Sequence, residues 1–383
     1  MKTLRILVLG LMFTVVPMHA QWVSMKSDGD TILQQGIRHI YNVEFDEAHA
    51  KFSQVIALYP THPAGYFLDA MVEWWRISLD QKTTAYDALF LQKIDRVLAV
   101  CDQRLDSMPK DVAALFFKGG AIGFRGRYHI TRNNYFSAAD DGRIALGILQ
   151  DCYRIAPGNH DVMLGTGIYN YFSVAIPERR PGLGTLMMFL PSGDKHLGLA
   201  QLKAAARQAR YAAVEAKVIL IQAYTDFEWN LLEAMTYARD LHQSFPRNPA
   251  FQRAYGRCLI GLGPRDSAEL CWRDVLVKYM DKRFGYDRLA AREALYYIGI
   301  CRMQSRDFPM ALKYLAKCFE ASQVLDKDEP TGLMVKAYLR MGQIYDAQGK
   351  RQQALSHYKK VLEWPDWSQS HAEATRFSNT PYR

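Results

Sequence analysis

Two arginines four residues apart, Arg253 and Arg257, are the residues of this chain best placed to do chemistry. At that spacing on a helix both guanidinium groups face one side, and together they could hold a carboxylate. Other combinations are weaker. Asp140 and Asp141 would diverge by about 100° on a helix, so they do not make an acid–base pair. Gly165 and Gly167 begin like a phosphate-cradling loop, but no strand precedes them and the third glycine is absent, which favours helix packing. His160-Asp161 and Asp194-Lys195-His196 lack a second histidine or a paired carboxylate nearby. Asp194 reads as the cap of a helix Lys195–Arg207, and Asn159 or Asp161 as another cap. No HExxH, GxSxG or EF-hand loop occurs, so the expectation is a protein that is not an enzyme and carries no metal and no cofactor.

The elements that must position the two arginines are helices with a fixed repeat. Gly256, Gly299 and Gly342 stand 43 residues apart, and Ala268, Ala311 and Ala354 follow each by 12. Gln222 and Ala234 keep the 12-residue relation one unit upstream. In residues 337–362, Tyr338, Met341, Gly342 and Tyr345 follow helical spacing; Gly349 breaks the run, and Ala354, Tyr358, Val361 and Leu362 form the face of a second helix. Small residues at 342 and 354 imply that the two helices touch there. Self-similar helix pairs cannot bury their apolar faces alone and must stack.

These residues resemble the tetratricopeptide repeat. Residues 337–365 match its pattern at nearly every step; residues 295–319, 251–276 and 217–246 match in part, and Gly36, Phe45, Ala48, Phe52, Val55-Ile56 and Pro60 form another copy. The middle of the chain, through Gly165–Phe172, Pro177 and Leu190–Gly198, is similar to a group of exported bacterial tetratricopeptide proteins and, more distantly, to the inclusion-body-clearance family. The resemblance implies an all-α fold, an α-solenoid of antiparallel helix pairs wound as a right-handed superhelix. It also implies a groove lined by the first helix of each pair, at Arg253, Arg257, Tyr296, Leu339 and Gln343. Ala223 stands where the carboxylate clamp of the family places an asparagine.

The first twenty residues read as an export signal. Lys2 and Arg5 precede an apolar run, Ile6–Val16, closed by Pro17 and followed by Ala20. The expected organisation is a signal peptide over 1–20, an irregular helical region over 21–210, a repeat array over 211–376 and a tail over 377–383. Helices are expected at Phe67–Ile77, Phe90–Leu105, Ala113–Phe124 and Asn133–Ile155. The net charge of +9 is spread along the chain, which reads as solvated helix faces rather than a nucleic-acid footprint. The six cysteines sit in apolar helical patterns and read as buried thiols; Cys258 and Cys271, on adjacent helices of one unit, are the first pair to consider for a bond. Residues 181–191, rich in Gly and Pro and then apolar, could meet a lipid surface without spanning it.

The function expected from this is a non-enzymatic scaffold of the cell envelope, periplasmic or associated with the outer membrane, that binds a protein or peptide partner. The alternative is a small-molecule or glycan binder using Trp74, Trp75, Trp229, Trp272 and the many tyrosines.

Overall fold

A computed structural model describes residues 27–179, 191–327, 330 and 332–383. The export signal and residues 181–190 lie outside the described residues. Among those described, the chain forms seventeen α-helices and no strand, an all-α solenoid of antiparallel pairs. The pairs are α1 (Ser27–Tyr41) with α2 (Phe45–Leu58), α3 (Pro63–Leu79) with α4 (Asp87–Ser107), and α5 (Val112–Thr131) with α6 (Tyr135–Ile155). Then come α7 (Val162–Arg179) with α8 (Lys195–Gln208), and α9 (Ala213–Gln222) with α10 (Leu231–Ser244). The last pairs are α11 (Pro249–Leu262) with α12 (Arg265–Met280), α13 (Arg288–Gln304) with α14 (Phe308–Leu325), and α15 (Gly332–Ala347) with α16 (Arg351–Leu362). The unpaired α17 (Ser370–Asn379) closes the stack against α15 and α16. All the helices expected in the middle of the chain are present. Asp194 caps α8, accepting from the Leu197 N–H at 2.9 Å.

Five turns inside a pair share one backbone feature, and four of them share a second. One residue takes the left-handed conformation: Val43, Asn133, Trp229, Arg306 and Gly349, with φ of 64°, 58°, 54°, 58° and 75°. In four of these turns the next N–H reaches back to a carbonyl of the last helical turn: Glu44 to His39, Asn134 to His129, Asp307 to Arg302 and Lys350 to Tyr345, at 2.8–3.0 Å. This closure satisfies carbonyls that a helix end leaves unpaired. Only Gly349 adopts it without the cost of a Cβ, so the repeat holds Val43 and Trp229 in a backbone region that bulky residues avoid.

Those turns set the register. The small residue lies seven positions before the left-handed one at Gly36, Gly126, Gly299 and Gly342, and the alanine comes 12 after it, at Ala48, Ala138, Ala311 and Ala354. Gly126 and Ala138 therefore belong to the series, although the sequence spacing did not single them out. The fifth turn differs. Ala223–Phe227 forms a π turn after α9, and Asn230 N–H bonds to Tyr224, one residue farther back. The inserted residue shifts the inner position from Gln222, which is exposed, to Ile221, which is buried.

The contact partner of the glycine also differs from the expectation. Sequence spacing pairs Gly342 with Ala354, but its space is taken by Tyr358, 16 residues on; a Cβ there would lie 2.7 Å from the Tyr358 ring. The same offset joins Gly36 to Phe52, Gly256 to Trp272 and Gly299 to Leu315. Each glycine makes room for one large side chain of the second helix, and the alanine is buried nearby.

One apolar core runs from Leu33 to Ala268 across residue 210, and smaller clusters continue toward the C-terminus. Trp74 and Trp75 are buried in this core and Trp272 in one of the smaller clusters. They cannot serve as sugar platforms; of the four tryptophans considered, only Trp229 is exposed, at 71%. The tail is held too: Phe377 is buried, and Tyr382 N–H bonds to Asp346 at 3.0 Å.

Gly342→Ala is expected to lower stability by about 1–3 kcal/mol through overpacking, less about 1 kcal/mol of helix propensity. The Tyr358 ring cannot retreat, because its hydroxyl donates to buried Asp346 at 2.8 Å. Gly147→Ala, where a Cβ meets nothing within 4 Å, should instead stabilise by about 0.5–1 kcal/mol. Thermal melts of both variants test the pair of signs.

Candidate functional site

The first helices α11, α13, α15 and α17 lie in sequence-adjacent contact and present one continuous face. All five residues expected to line a groove are on it, but they do not form one open site. Arg253 and Arg257 do hold a carboxylate, and it is the protein's own. Arg253 Nε donates to Glu293 Oε2 at 2.7 Å; Arg257 donates to Oε1 at 2.5 Å and to Oε2 at 3.1 Å. Glu293 is buried on α13. Burial works against its ionisation, and the charges of Arg257 and Arg253 overcome it, so the carboxyl sits below its usual range. The clamp read from sequence is an internal strut between two repeats, and its expected role as a receptor for a partner's carboxylate is corrected accordingly.

Leu339 and Gln343 are each 1% exposed. Leu339 packs with Tyr358 and Phe377, because α17 covers this part of α15. Gln343 accepts from Arg340 at 2.9 Å and donates to Glu373 of α17 at 3.3 Å. Gln343 therefore does not line an open groove. Tyr296 is buried as well, and burial raises its phenol pKa, with the Arg340 guanidinium opposing.

Tyr296 and Leu339 do meet at a small cleft of about 160 Å³ between α13, α15 and α17. Its other walls come from Lys336, Arg340, Trp367 and Glu373. Arg340 donates to Glu373 at 2.7 Å. Lys336 forms no ion pair among the described residues. Burial first, and Arg340 second, push its ammonium below its ordinary pKa, with Glu373 opposing. Two cations therefore face one carboxylate, and the balance favours an anion. The loop before α17 is held in shape by two successive left-handed residues, Ser368 and Gln369, with φ of 51° and 65°. Trp367 Nε1 donates to the Pro330 carbonyl at 3.0 Å, which fixes the indole at the rim.

Lys336 and Arg340 were missed in the sequence, although they carry the signal that singled out Arg253 and Arg257: two cations four apart on a first helix. Which pair is already neutralised depends on residues 40 and 33 positions away, Glu293 and Glu373, and spacing alone does not reveal that.

The remaining candidates resolve into packing. Asp141 is buried and bonded to Arg125 at 2.6 and 2.9 Å, whereas Asp140 is exposed and pairs with Arg143. Gly167 lies against α8, where a Cβ would stand 3.1 Å from the Gly198 carbonyl oxygen. Asn159 caps α7, accepting from Asp161 N–H at 3.0 Å. Asp161 instead accepts the N–H groups of Arg210, Tyr211 and Ala212 at 2.7–3.0 Å, ahead of α9. Among the described residues no group of three or more His, Cys, Asp or Glu could hold a metal ion, and no helix is long and apolar enough to cross a membrane.

Residues 336–363 match the family model of the tetratricopeptide repeat. That segment is α15 and α16, and it includes Lys336 and Arg340. No curated protein matches the chain. Among solved structures, the chain is similar to a thermophilic tetratricopeptide-repeat protein of Thermus thermophilus, at 17% identity over 61% of this chain and 99% of that one, with a TM-score of 0.37. It is similar to the human IFIT1 dimer with PPP-AAAA at 13% identity, over 83% of this chain and 68% of that one, with a TM-score of 0.40. It is also similar to the APC/C hetero-tetramer Cut9-Hcn1 at 11% identity, over 91% of this chain and 76% of that one, with a TM-score of 0.43.

The strut has a pH signature. Glu293 ionises more readily folded than unfolded, so its contribution is complete above the ordinary glutamate value of about 4.3 and fades as pH falls through its lowered folded value. Glu293→Gln should cost about 1–3 kcal/mol at neutral pH, by analogy with charged hydrogen bonds. The gap between wild type and variant should narrow near pH 3. Urea denaturation at both pH values measures it.

Proposed function

We propose that this chain is a non-enzymatic interaction scaffold that receives the acidic end of a peptide or protein partner at the cleft of Lys336 and Arg340. The observation that carries the reading is Lys336, a cation inside a cleft of the first-helix face with no ion-pair partner among the described residues. A partner carboxylate there would gain a charge-assisted bond, and Trp367 offers an apolar rim for the neighbouring side chain. The repeat architecture supports the class of function: helix pairs expose long faces suited to recognition. Export to the cell envelope, periplasmic or at the outer membrane, belongs to the same proposal and rests on Lys2, Arg5, the run Ile6–Val16 and Ala20. Contact with lipid through residues 181–191 remains part of it as a surface contact, not a span.

The test is fluorescence anisotropy with a labelled hexapeptide ending in Glu-Asp and a free carboxylate, alongside its amidated form. The free acid should bind more tightly than the amide. Lys336→Glu should weaken it by about ten-fold or more, which is 1.4 kcal/mol. Arg257→Gln should leave affinity unchanged while lowering the melting temperature. Equal binding of acid and amide, or indifference to Lys336→Glu, would defeat the assignment.

A further inference from the structure

On the opposite part of the solenoid, α7 is gripped from both sides. Leu149 of α6 presses on Gly165, and α8 comes close enough at Gly167 and Gly198 that a Cβ on Gly198 would stand 2.9 Å from the Gly167 carbonyl. Beyond these contacts α6 and α8 rise on either side of α7. The trough between them is a cleft of about 400 Å³, within the roughly 300–1,000 Å³ range of small-ligand sites.

Its lining is amides over an apolar base. Gln150 comes from α6, Asn170 from α7 and Gln201 from α8; Leu146, Leu197 and the ring of Tyr153 supply the apolar wall. Gln201 is only 6% exposed. Its Oε1 accepts from Asn170 Nδ2 at 2.9 Å, which fixes both side chains. Gln201 Nε2, Asn170 Oδ1 and both ends of the Gln150 amide have no further partner among the described residues. These amide ends open to solvent, so they are available to a ligand. Charge is nearly absent: Arg154 at the mouth is held by Asp151, one turn back, and no carboxylate lines the cleft.

The geometry points to a binding site for a neutral oligosaccharide in this cleft, separate from the anion cleft of α15. A primary amide offers an acceptor and two donors on one plane, which suits adjacent hydroxyl groups. Three such amides converge here, and Thr166 adds a hydroxyl near the floor. The Tyr153 ring and the two leucines meet the C–H face of a sugar ring. A charged ligand would meet one counter-charge, Arg154 at the mouth, and that guanidinium already pairs with Asp151. An extended peptide would need a longer track than a bounded cleft of this volume.

Saturation-transfer NMR and calorimetry of the full chain with maltotriose, cellotriose, xylotriose and mannotriose test the assignment. At least one trisaccharide should bind. Gln150→Ala, at an exposed position that the fold tolerates, should weaken it by roughly five-fold, the worth of one hydrogen bond. Gln201→Met, which keeps the volume, should weaken it by about ten-fold or more, since two bonds are lost. Lys336→Glu should leave sugar binding unchanged, which keeps this result apart from the peptide assay. No binding by any of the four sugars, or binding that both variants leave unaltered, would overturn the inference. So would displacement of the sugar-site NMR signals by an extended neutral peptide and by none of the sugars.

Discussion

A single buried side chain, Glu215 on α9, ties α9 to the first helices of the three N-terminal pairs. Its Oε1 accepts from Trp75 Nε1 at 2.8 Å and from the Tyr41 hydroxyl at 3.4 Å; its Oε2 accepts from Arg127 at 3.3 Å. Those partners sit on α3, α1 and α5. A polar group so far from water is tolerable only when hydrogen-bonded, and here four first helices must be in place for that to hold. The surrounding contacts close the same seam. Asp30 of α1 bonds to Arg210 and Tyr211, Asn248 donates to the Tyr41 carbonyl, and Phe45 packs on Phe284. The first helix pair is thus lodged against residues 210–286, and its apolar side is spent inside the molecule.

That closure decides where recognition can occur. A repeat array is useful because its inner face is open, but here Tyr41 of α1 and Trp75 of α3 pack on each other and on Phe245 and Phe251 and fill that face. Among the described residues, two openings lie where the stacking rhythm changes. One lies where α17 ends the array without a second helix of its own. The other lies where α7 is squeezed between neighbours and α6 and α8 stand apart above it. Both arise chiefly from packing geometry, and apart from Trp367 and Ser368 in the loop before α17 their lining side chains are held on helices.

The legible part of the sequence comes from the same physics. A glycine opposite a large residue 16 positions later, and an alanine 12 positions later, are demands of helix contact, and they recur wherever the contact recurs. Gly299 with Ala311 and Gly342 with Ala354 could therefore be read as repeats before the large partners of the glycines, Leu315 and Tyr358, were known. The π turn at Ala223–Phe227 could not, because one inserted residue leaves composition intact and only rotates the helix face beyond it. Gln222 then resembles an irregular repeat position, although the inner place has passed to Ile221. Charges were the least legible. Arg253 and Arg257 look the same in sequence whether a partner's carboxylate or Glu293 lies between them, and the answer depends on the distance between two helices 40 residues apart.

The cysteines show how burial bears on the proposed export. All six are free thiols: Cys101, Cys152, Cys258, Cys301 and Cys318 are buried and Cys271 is half-buried. An oxidising compartment favours pairing, and Cys258 with Cys271 would be the first candidates. Burial, however, pushes every one upward, to about 12 at Cys101, Cys152 and Cys318 and about 11 at Cys258, Cys271 and Cys301. Oxidation and exchange proceed through the thiolate, and a thiol so raised and shielded supplies almost none at neutral pH. Unpaired cysteines thus carry no argument against an extracytoplasmic location here. They act as small apolar side chains at helix contacts, such as Cys318 in the cluster that joins α14 to Tyr296 of α13 and Met341 of α15.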